Sequence, residues 1–145
     1  MTIERMDHVG IVVRDLAAAV DFFVALGLER DGEGTVGGDW VDRVVGLEGV
    51  ESEIAMLRTP DGHGCVELVE FRSPPAEDGG APPSNATGLR HITFAVEDLD
   101  AVLARLRPHG GELVGAVETY EDIYRLCYVR GPEGVIVELA ERIGE

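Results

Sequence analysis

The stretch HITFAVEDLDAVLARL (residues 91–106) decides the fold, because it restates HVGIVVRDLAAAVDFF (residues 8–23). In both copies a histidine opens an apolar run, Asp-Leu follows, and a helical pattern comes next, at a constant offset of 83 residues. A Val-Glu-Leu motif recurs in the same order, at residues 66–68 and 137–139, with an offset of 71. Two matches in one order predict a single structural unit written twice.

Each copy predicts the order βαβββ. Apolar and polar residues alternate in the predicted strands, and apolar residues three and four apart mark the predicted helices. Asp15 and Asp98 stand where a helix N-cap is expected. We therefore predict an α+β fold for one domain, residues 1–145, in which two tandem units form a curved mixed sheet around a shared cavity. The expected first unit is 6–71, the Pro- and Gly-rich linker 72–88, and the second unit 89–141.

Composition excludes several classes of function. The formal net charge of −16 opposes binding to nucleic acid or to an anionic membrane. The chain has 12 arginines and no lysine, so a catalytic lysine that forms a Schiff base is excluded. Cys65 and Cys127 lack CxxC spacing, which excludes a zinc knuckle or a thioredoxin-like motif. No apolar run is long enough for a membrane span, and the acidic start does not resemble a signal peptide, so we expect a cytoplasmic protein.

Four side chains at matched places in the repeat are candidate metal ligands: His8, Glu67, His91 and Glu138. Each histidine stands near the start of a unit's first strand, and each glutamate stands in its last strand. Apolar neighbours flank both glutamates, so each carboxylate is expected on the face of its strand opposite those neighbours. Two imidazoles and two carboxylates suit one divalent ion, and Zn, Ni, Co, Mn and Fe(II) all remain open.

Further candidates line the expected cavity and would bind a substrate. Trp40 and Met56 come from the first unit, and Tyr124, Arg125 and Tyr128 come from a late strand of the second. Tyr124 and Tyr128 share one face of that strand and Arg125 lies on the other, and the sequence leaves open which face meets the cavity. Arg125 is of the type that pairs with a substrate carboxylate.

The motifs DHVGIVVRDLAAAVDFF, VELVEF, LRHITFAVEDLDAVLARL and GPEGVIVEL resemble those of the vicinal oxygen chelate superfamily. This superfamily includes glyoxalase I, methylmalonyl-CoA epimerase, extradiol dioxygenases and the fosfomycin and bleomycin resistance proteins. The resemblance covers nearly the whole chain. It implies the glyoxalase/dioxygenase-like fold, with the His8, Glu67, His91 and Glu138 set holding the metal ion.

That ligand set is most similar to glyoxalase I. Methylmalonyl-CoA epimerases usually have Gln at the place of Glu67, and extradiol dioxygenases use two His and one Glu. The glyoxalase I branch has an Arg four residues after the first ligand histidine, which helps to hold glutathione, and this chain has Val12 there. The sequence thus departs from the glutathione-binding pattern.

The resemblance implies a lyase or isomerase that acts on a small metabolite with vicinal oxygens. In such chemistry the metal polarises a carbonyl, an enolate forms, and Glu138 or Glu67 moves the proton as the catalytic base. Two alternatives stay open: a single-domain Fe(II) dioxygenase of the extradiol type, and a metal-free protein that binds a small molecule or antibiotic. Many relatives are homodimers, and we expect one here.

Overall fold

The computed structural model describes residues 2–145 and contains two compact units, with the boundary between Asp78 and Gly79. This boundary falls inside the predicted linker. Each unit has its own sheet, with an amphipathic helix packed against it.

The first unit has four strands and two helices. They are β1 (Val9–Val12), α1 (Leu16–Leu26), β2 (Glu29–Gly37), α2 (Asp39–Val45), β3 (Glu51–Arg58) and β4 (Cys65–Ser73). The strand order is β1-β4-β3-β2, with β1 parallel to β4 and the other pairs antiparallel.

Helix α1 begins where the sequence predicts. Asp15 is the N-cap and accepts a hydrogen bond from the Ala18 amide at 3.0 Å. Gly27 follows the last turn with φ of 130°, a conformation that L side chains rarely adopt. The helix packs on β3 and β4. Its buried residues are Ala19, Val20, Phe22, Phe23 and Leu26.

The second unit repeats the plan with five strands and one α-helix. They are β5 (His91–Val96), α3 (Leu99–Leu106), β6 (Glu112–Leu113), β7 (Glu118–Tyr120), β8 (Tyr124–Arg130) and β9 (Ile136–Arg142). The strand order is β5-β9-β8-β6, β7 also pairs with β8, and β5 is parallel to β9. Asp98 caps α3 through the Ala101 amide at 3.0 Å, as Asp15 caps α1.

The core confirms the predicted orientation of both glutamates. The apolar neighbours of Glu67 and Glu138 are buried to 3% exposure or less; they are Val66, Leu68, Val137 and Leu139. Because successive side chains of a strand point to opposite faces, the two carboxylates lie on the face away from this core. Their side chains are 26% and 20% exposed.

Alternating apolar and polar residues predict a strand over residues 6–13 and a single strand over residues 112–119, and both differ from the strands observed. The predicted strand over residues 6–13 begins only at Val9, because its partner strand β4 begins at Cys65 and pairs Val66 with Val9. The single strand predicted over 112–119 is broken into β6 and β7. Leu113 pairs with Val129 and Glu118 with Leu126, so the four residues 114–117 face only two residues of β8. Two extra residues on one strand interrupt the ladder there.

No helix within residues 2–145 combines the length and the apolar character that crossing a membrane requires.

Candidate metal centre

The candidate ligand pair of the first unit lies where β1 begins. The parallel register of β1 and β4 sets Gly10 opposite Glu67, and His8 directly precedes β1. His8 Nε2 lies 3.7 Å from Glu67 Oε2. On the other side of the imidazole, His8 Nδ1 lies 2.8 Å from Asp7 Oδ2. Hydrogen bonding, first with His8 and then with Arg5, lowers the pKa of Asp7, so the outer carboxylate is ionised at neutral pH.

The second unit repeats this geometry. His91 opens β5, and the parallel register with β9 sets Thr93 opposite Glu138. His91 Nε2 lies 3.8 Å from Glu138 Oε1. The other ring nitrogen, Nδ1, lies 3.3 Å from the hydroxyl of Tyr128, and the two rings are 4.9 Å apart at their centroids. In both units, therefore, Nδ1 has an outer partner and Nε2 faces the glutamate.

These distances fit a divalent metal ion. An ion bound to a histidine nitrogen and a carboxylate oxygen at about 2.0–2.2 Å holds the two atoms about 3.0–3.4 Å apart. The observed separations of 3.7 and 3.8 Å need only a small rotation of either side chain to reach that range. An outer hydrogen bond on the second ring nitrogen is the usual arrangement around a ligand histidine.

Each unit has two of the candidate ligands. No group of three or more His, Cys, Asp or Glu side chains placed to hold a metal ion occurs within residues 2–145. The first unit has His8 and Glu67, and the second has His91 and Glu138. The four predicted ligands are thus brought together as two pairs, one in each unit.

The neighbours of the two glutamates differ in chemistry. Thr93 donates a hydrogen bond from Oγ1 to Glu138 Oε1 at 2.7 Å, whereas Gly10 holds the same place beside Glu67. On the other side, β8 sets Tyr128 opposite Glu138, and β3 sets Met56 opposite Glu67. The predicted substrate-binding residues Met56 and Tyr128 thus occupy equivalent register positions, each on the same face as its glutamate.

A cavity of about 320 Å³ in the second unit opens beside Glu138. Tyr128 and Leu126 of β8 line it, together with residues 114–116 from the interruption between β6 and β7. A volume of this size holds a small metabolite. The interruption therefore opens space next to a candidate ligand.

The structure shows which face of β8 lies on the same side of the sheet as Glu138 of β9. Tyr124 and Tyr128 lie on that face, and Tyr124 pairs with Arg142, whose guanidinium lies 6.0 Å from its ring. Arg125 lies on the opposite, helix-facing side. It donates to both carboxylate oxygens of Asp100 at 3.0 and 3.1 Å and to Glu141 at 3.2 Å. The structure therefore places Arg125 on the face opposite Glu138, and its expected pairing with a substrate carboxylate stays a prediction.

Trp40 lies in α2 and is 61% exposed. It belongs to an exposed apolar side of this helix that also includes Val44 and Val45. No hydrogen bond or ring contact within residues 2–145 ties Trp40 to the His8–Glu67 pair. Its expected role in substrate binding remains a prediction.

Sequence reasoning missed two residues that hydrogen-bond to the candidate ligands, Asp7 beside His8 and Thr93 beside Glu138. Asp7 is adjacent to His8, and its position before a candidate ligand was the available signal. Thr93 belongs to the alternating stretch HITFAV, in which His91, Thr93 and Ala95 share one face. A polar residue two places from a ligand histidine on the same face was the signal for Thr93.

The two units share a strand plan, and each carries a His–Glu pair at a parallel strand pair. Residues 5–139 match the family model of the Glyoxalase/Bleomycin resistance protein/Dioxygenase superfamily. The chain belongs to this superfamily, which confirms the resemblance seen in its motifs.

Three similar proteins illustrate the relationship. A glyoxalase family protein from Bacillus cereus has a solved structure with a TM-score of 0.95 and 48% identity, covering 99% of this chain and 97% of that one. The uncharacterized protein YwbC of Bacillus subtilis is 27% identical over 141 residues, which is 96% of this chain and 98% of YwbC. TnmS3, an antibiotic binding protein from a Streptomyces species, shares the fold with a TM-score of 0.64 and 20% identity, covering 98% of each chain.

Proposed function

We propose that this chain is a metal-dependent lyase or isomerase of the glyoxalase-like class, acting on a small vicinal-oxygen metabolite through an enolate-type intermediate. One observation carries the proposal. The same His–Glu geometry occurs at equivalent register positions in both units, with Nδ1 engaged and Nε2 facing the carboxylate each time. Chance placement of surface histidines does not account for this repetition.

The proposed ligands are His8, Glu67, His91 and Glu138, which together hold one divalent ion from the group Zn, Ni, Co, Mn and Fe. When bound, such an ion polarises the substrate carbonyl and stabilises the negative charge that develops on its oxygen. The repeated N and O donors suit this group of metals.

The glutamates would carry the proton chemistry. The C–H bond beside the substrate carbonyl breaks, its electron pair stays on the substrate as an enolate, and the proton passes to Glu138 or Glu67 before it returns to the substrate. The cavity beside Glu138 would hold the substrate, with the ring of Tyr128 and the side chain of Leu126 against its carbon skeleton. Met56 would have the equivalent position beside Glu67.

The proposal includes a cytoplasmic homodimer that works without nucleic acid or membrane partners. Both cysteines are free and buried, as is usual in a reducing compartment. The net charge of −16 disfavours association with polyanions.

Elemental analysis of protein purified without chelator or affinity nickel tests the proposal. We expect about one metal ion per chain in the wild type and none in Glu67→Ala/Glu138→Ala, because two imidazoles alone hold a divalent ion weakly. The matched control is Glu29→Ala/Glu112→Ala, which removes the same charge from exposed strand positions and should keep the ion.

The outcomes separate the alternatives. Bound iron with oxygen uptake on catechols would replace the lyase or isomerase proposal by an extradiol-type dioxygenase. No bound metal, even after incubation with each divalent ion, would rule out the proposal. The cavity beside Glu138 would then be studied as a binding pocket, since TnmS3, an antibiotic binding protein, has the same fold.

A further inference from the structure

The two halves of the candidate centre differ in the hydrogen bonding of their glutamates. Hydroxyl residues lie on both sides of Glu138: Thr93 on β5 and Tyr128 on β8. Thr93 donates to Glu138 at 2.7 Å. The equivalent neighbours of Glu67 are Gly10 and Met56, and neither side chain offers a donor.

We propose that Thr93 is a positioning residue that holds Glu138 as the fixed metal ligand, and that Glu67 is the carboxylate free to leave the ion and move the substrate proton. This inference rests on the proposed function and chooses between its two candidate bases. A hydrogen bond to an ionised carboxylate is stronger than one between neutral groups, so Glu138 is held in one orientation. Such outer partners fix the direction of a ligand, and their loss typically weakens metal binding.

Glu67 lacks this restraint. Within residues 2–145, no hydrogen bond to the side chain of Glu67 is formed, and His8 Nε2 lies 3.7 Å from its Oε2. Rotation of its carboxylate therefore breaks no hydrogen bond of this chain. A general base must come within hydrogen-bond reach of the proton it abstracts, and a carboxylate that no hydrogen bond holds can turn toward the substrate more readily.

The glycine at position 10 is not required by the backbone. Its φ lies outside the left-handed region, and an added Cβ would meet no heavy atom within 4 Å. A threonine can therefore be placed at position 10, where the parallel register sets it opposite Glu67 as Thr93 is set opposite Glu138. A substitution can therefore either add a hydroxyl opposite Glu67 or remove the hydroxyl opposite Glu138.

Titration with Co(II) alone, followed by its visible absorption, tests the inference without a substrate. We expect Thr93→Val to weaken Co(II) binding about 10-fold, since loss of an outer partner typically lowers metal affinity to this extent. Thr93→Ser, which keeps the hydroxyl, should bind within about 3-fold of the wild type. The melting temperature of the metal-free protein should be the same in all three, which separates positioning from a structural role.

The reciprocal variants test the assignment of the base. Gly10→Thr should tighten Co(II) binding several-fold, while Gly10→Ala, which adds no donor, should not. Glu138→Gln should weaken Co(II) binding at least about 10-fold more than Glu67→Gln, because it removes the fixed ligand.

Three results would overturn the inference: equal Co(II) affinity in Thr93→Val and the wild type, failure of Thr93→Ser to restore it, or a larger loss in Glu67→Gln than in Glu138→Gln. A wild type that binds no Co(II) is a different result, because it removes the proposed function itself.

Discussion

His8 and His91 carry different outer partners on the same ring nitrogen. Asp7 offers His8 a carboxylate at 2.8 Å, whereas Tyr128 offers His91 a phenol at 3.3 Å. An ionised acceptor raises the basicity of the imidazole more than a neutral hydroxyl does. The histidine of the first unit should therefore depend more strongly on its outer partner.

Asp7→Asn tests this dependence. The substitution keeps the shape of the side chain and removes its charge, so we expect divalent-metal affinity to fall about 10-fold. Competition with a coloured chelator at pH 7 measures the change. The control is Glu4→Gln, an exposed acid that also lies near Arg5, at 3.6 Å. Equal losses in the two variants would mean that overall charge, and not the hydrogen bond to His8, sets the affinity.

At the scale of elements, Arg125 ties α3 to the sheet of its unit. It joins Asp100, in the first turn of α3, to Glu141 of β9. The hydrogen bond from Arg125, with its charge, lowers the pKa of Asp100 below the ordinary value of 3.8. A carboxyl whose pKa is depressed in the folded state contributes stability above its unfolded pKa, and this contribution is lost as pH falls through the folded value.

Asp100→Asn should therefore lower the melting temperature by a few degrees at pH 7. The difference from the wild type should shrink below about pH 4, where the unfolded chain begins to bind the proton, and vanish once Asp100 is protonated in the folded state as well. Thermal unfolding at a series of pH values measures this. Glu97→Gln, an exposed carboxyl outside the pair, is the control and should show no such trend. A pH-independent difference for Asp100→Asn would contradict the ionic origin of the effect.

At the scale of the whole molecule, the sequence predicted the features that the two units share. The βαβββ order, the caps Asp15 and Asp98 and the orientation of both glutamates follow from local periodicity and were confirmed. The sequence did not predict which face of β8 lies on the same side of the sheet as Glu138, because apolar residues occur on both faces of β8. The places of Thr93 and Gly10 opposite the two glutamates did not follow either, because they depend on a strand register that only folding between distant segments creates.

The duplication leads to a prediction about metal stoichiometry. If four ligands hold one ion, removal of either pair should abolish binding, although the other pair is intact. We expect His8→Ala/Glu67→Ala and His91→Ala/Glu138→Ala each to lose the ion, since two ligands leave a divalent metal mostly hydrated. Half the wild-type metal content in both variants would instead mean two independent two-ligand sites.

Co-expression of these two variants with different affinity tags completes the measurement. Each chain of a purified mixed dimer keeps one pair. When the four ligands belong to a single chain, neither chain of the mixed dimer can complete a site, and no ion binds. When each site takes its pairs from two chains, one of the two sites regains all four ligands, and the mixed dimer binds one ion. Metal analysis of the doubly tagged species thus assigns the pairs to one chain or to two, because complementation requires ligands from different chains.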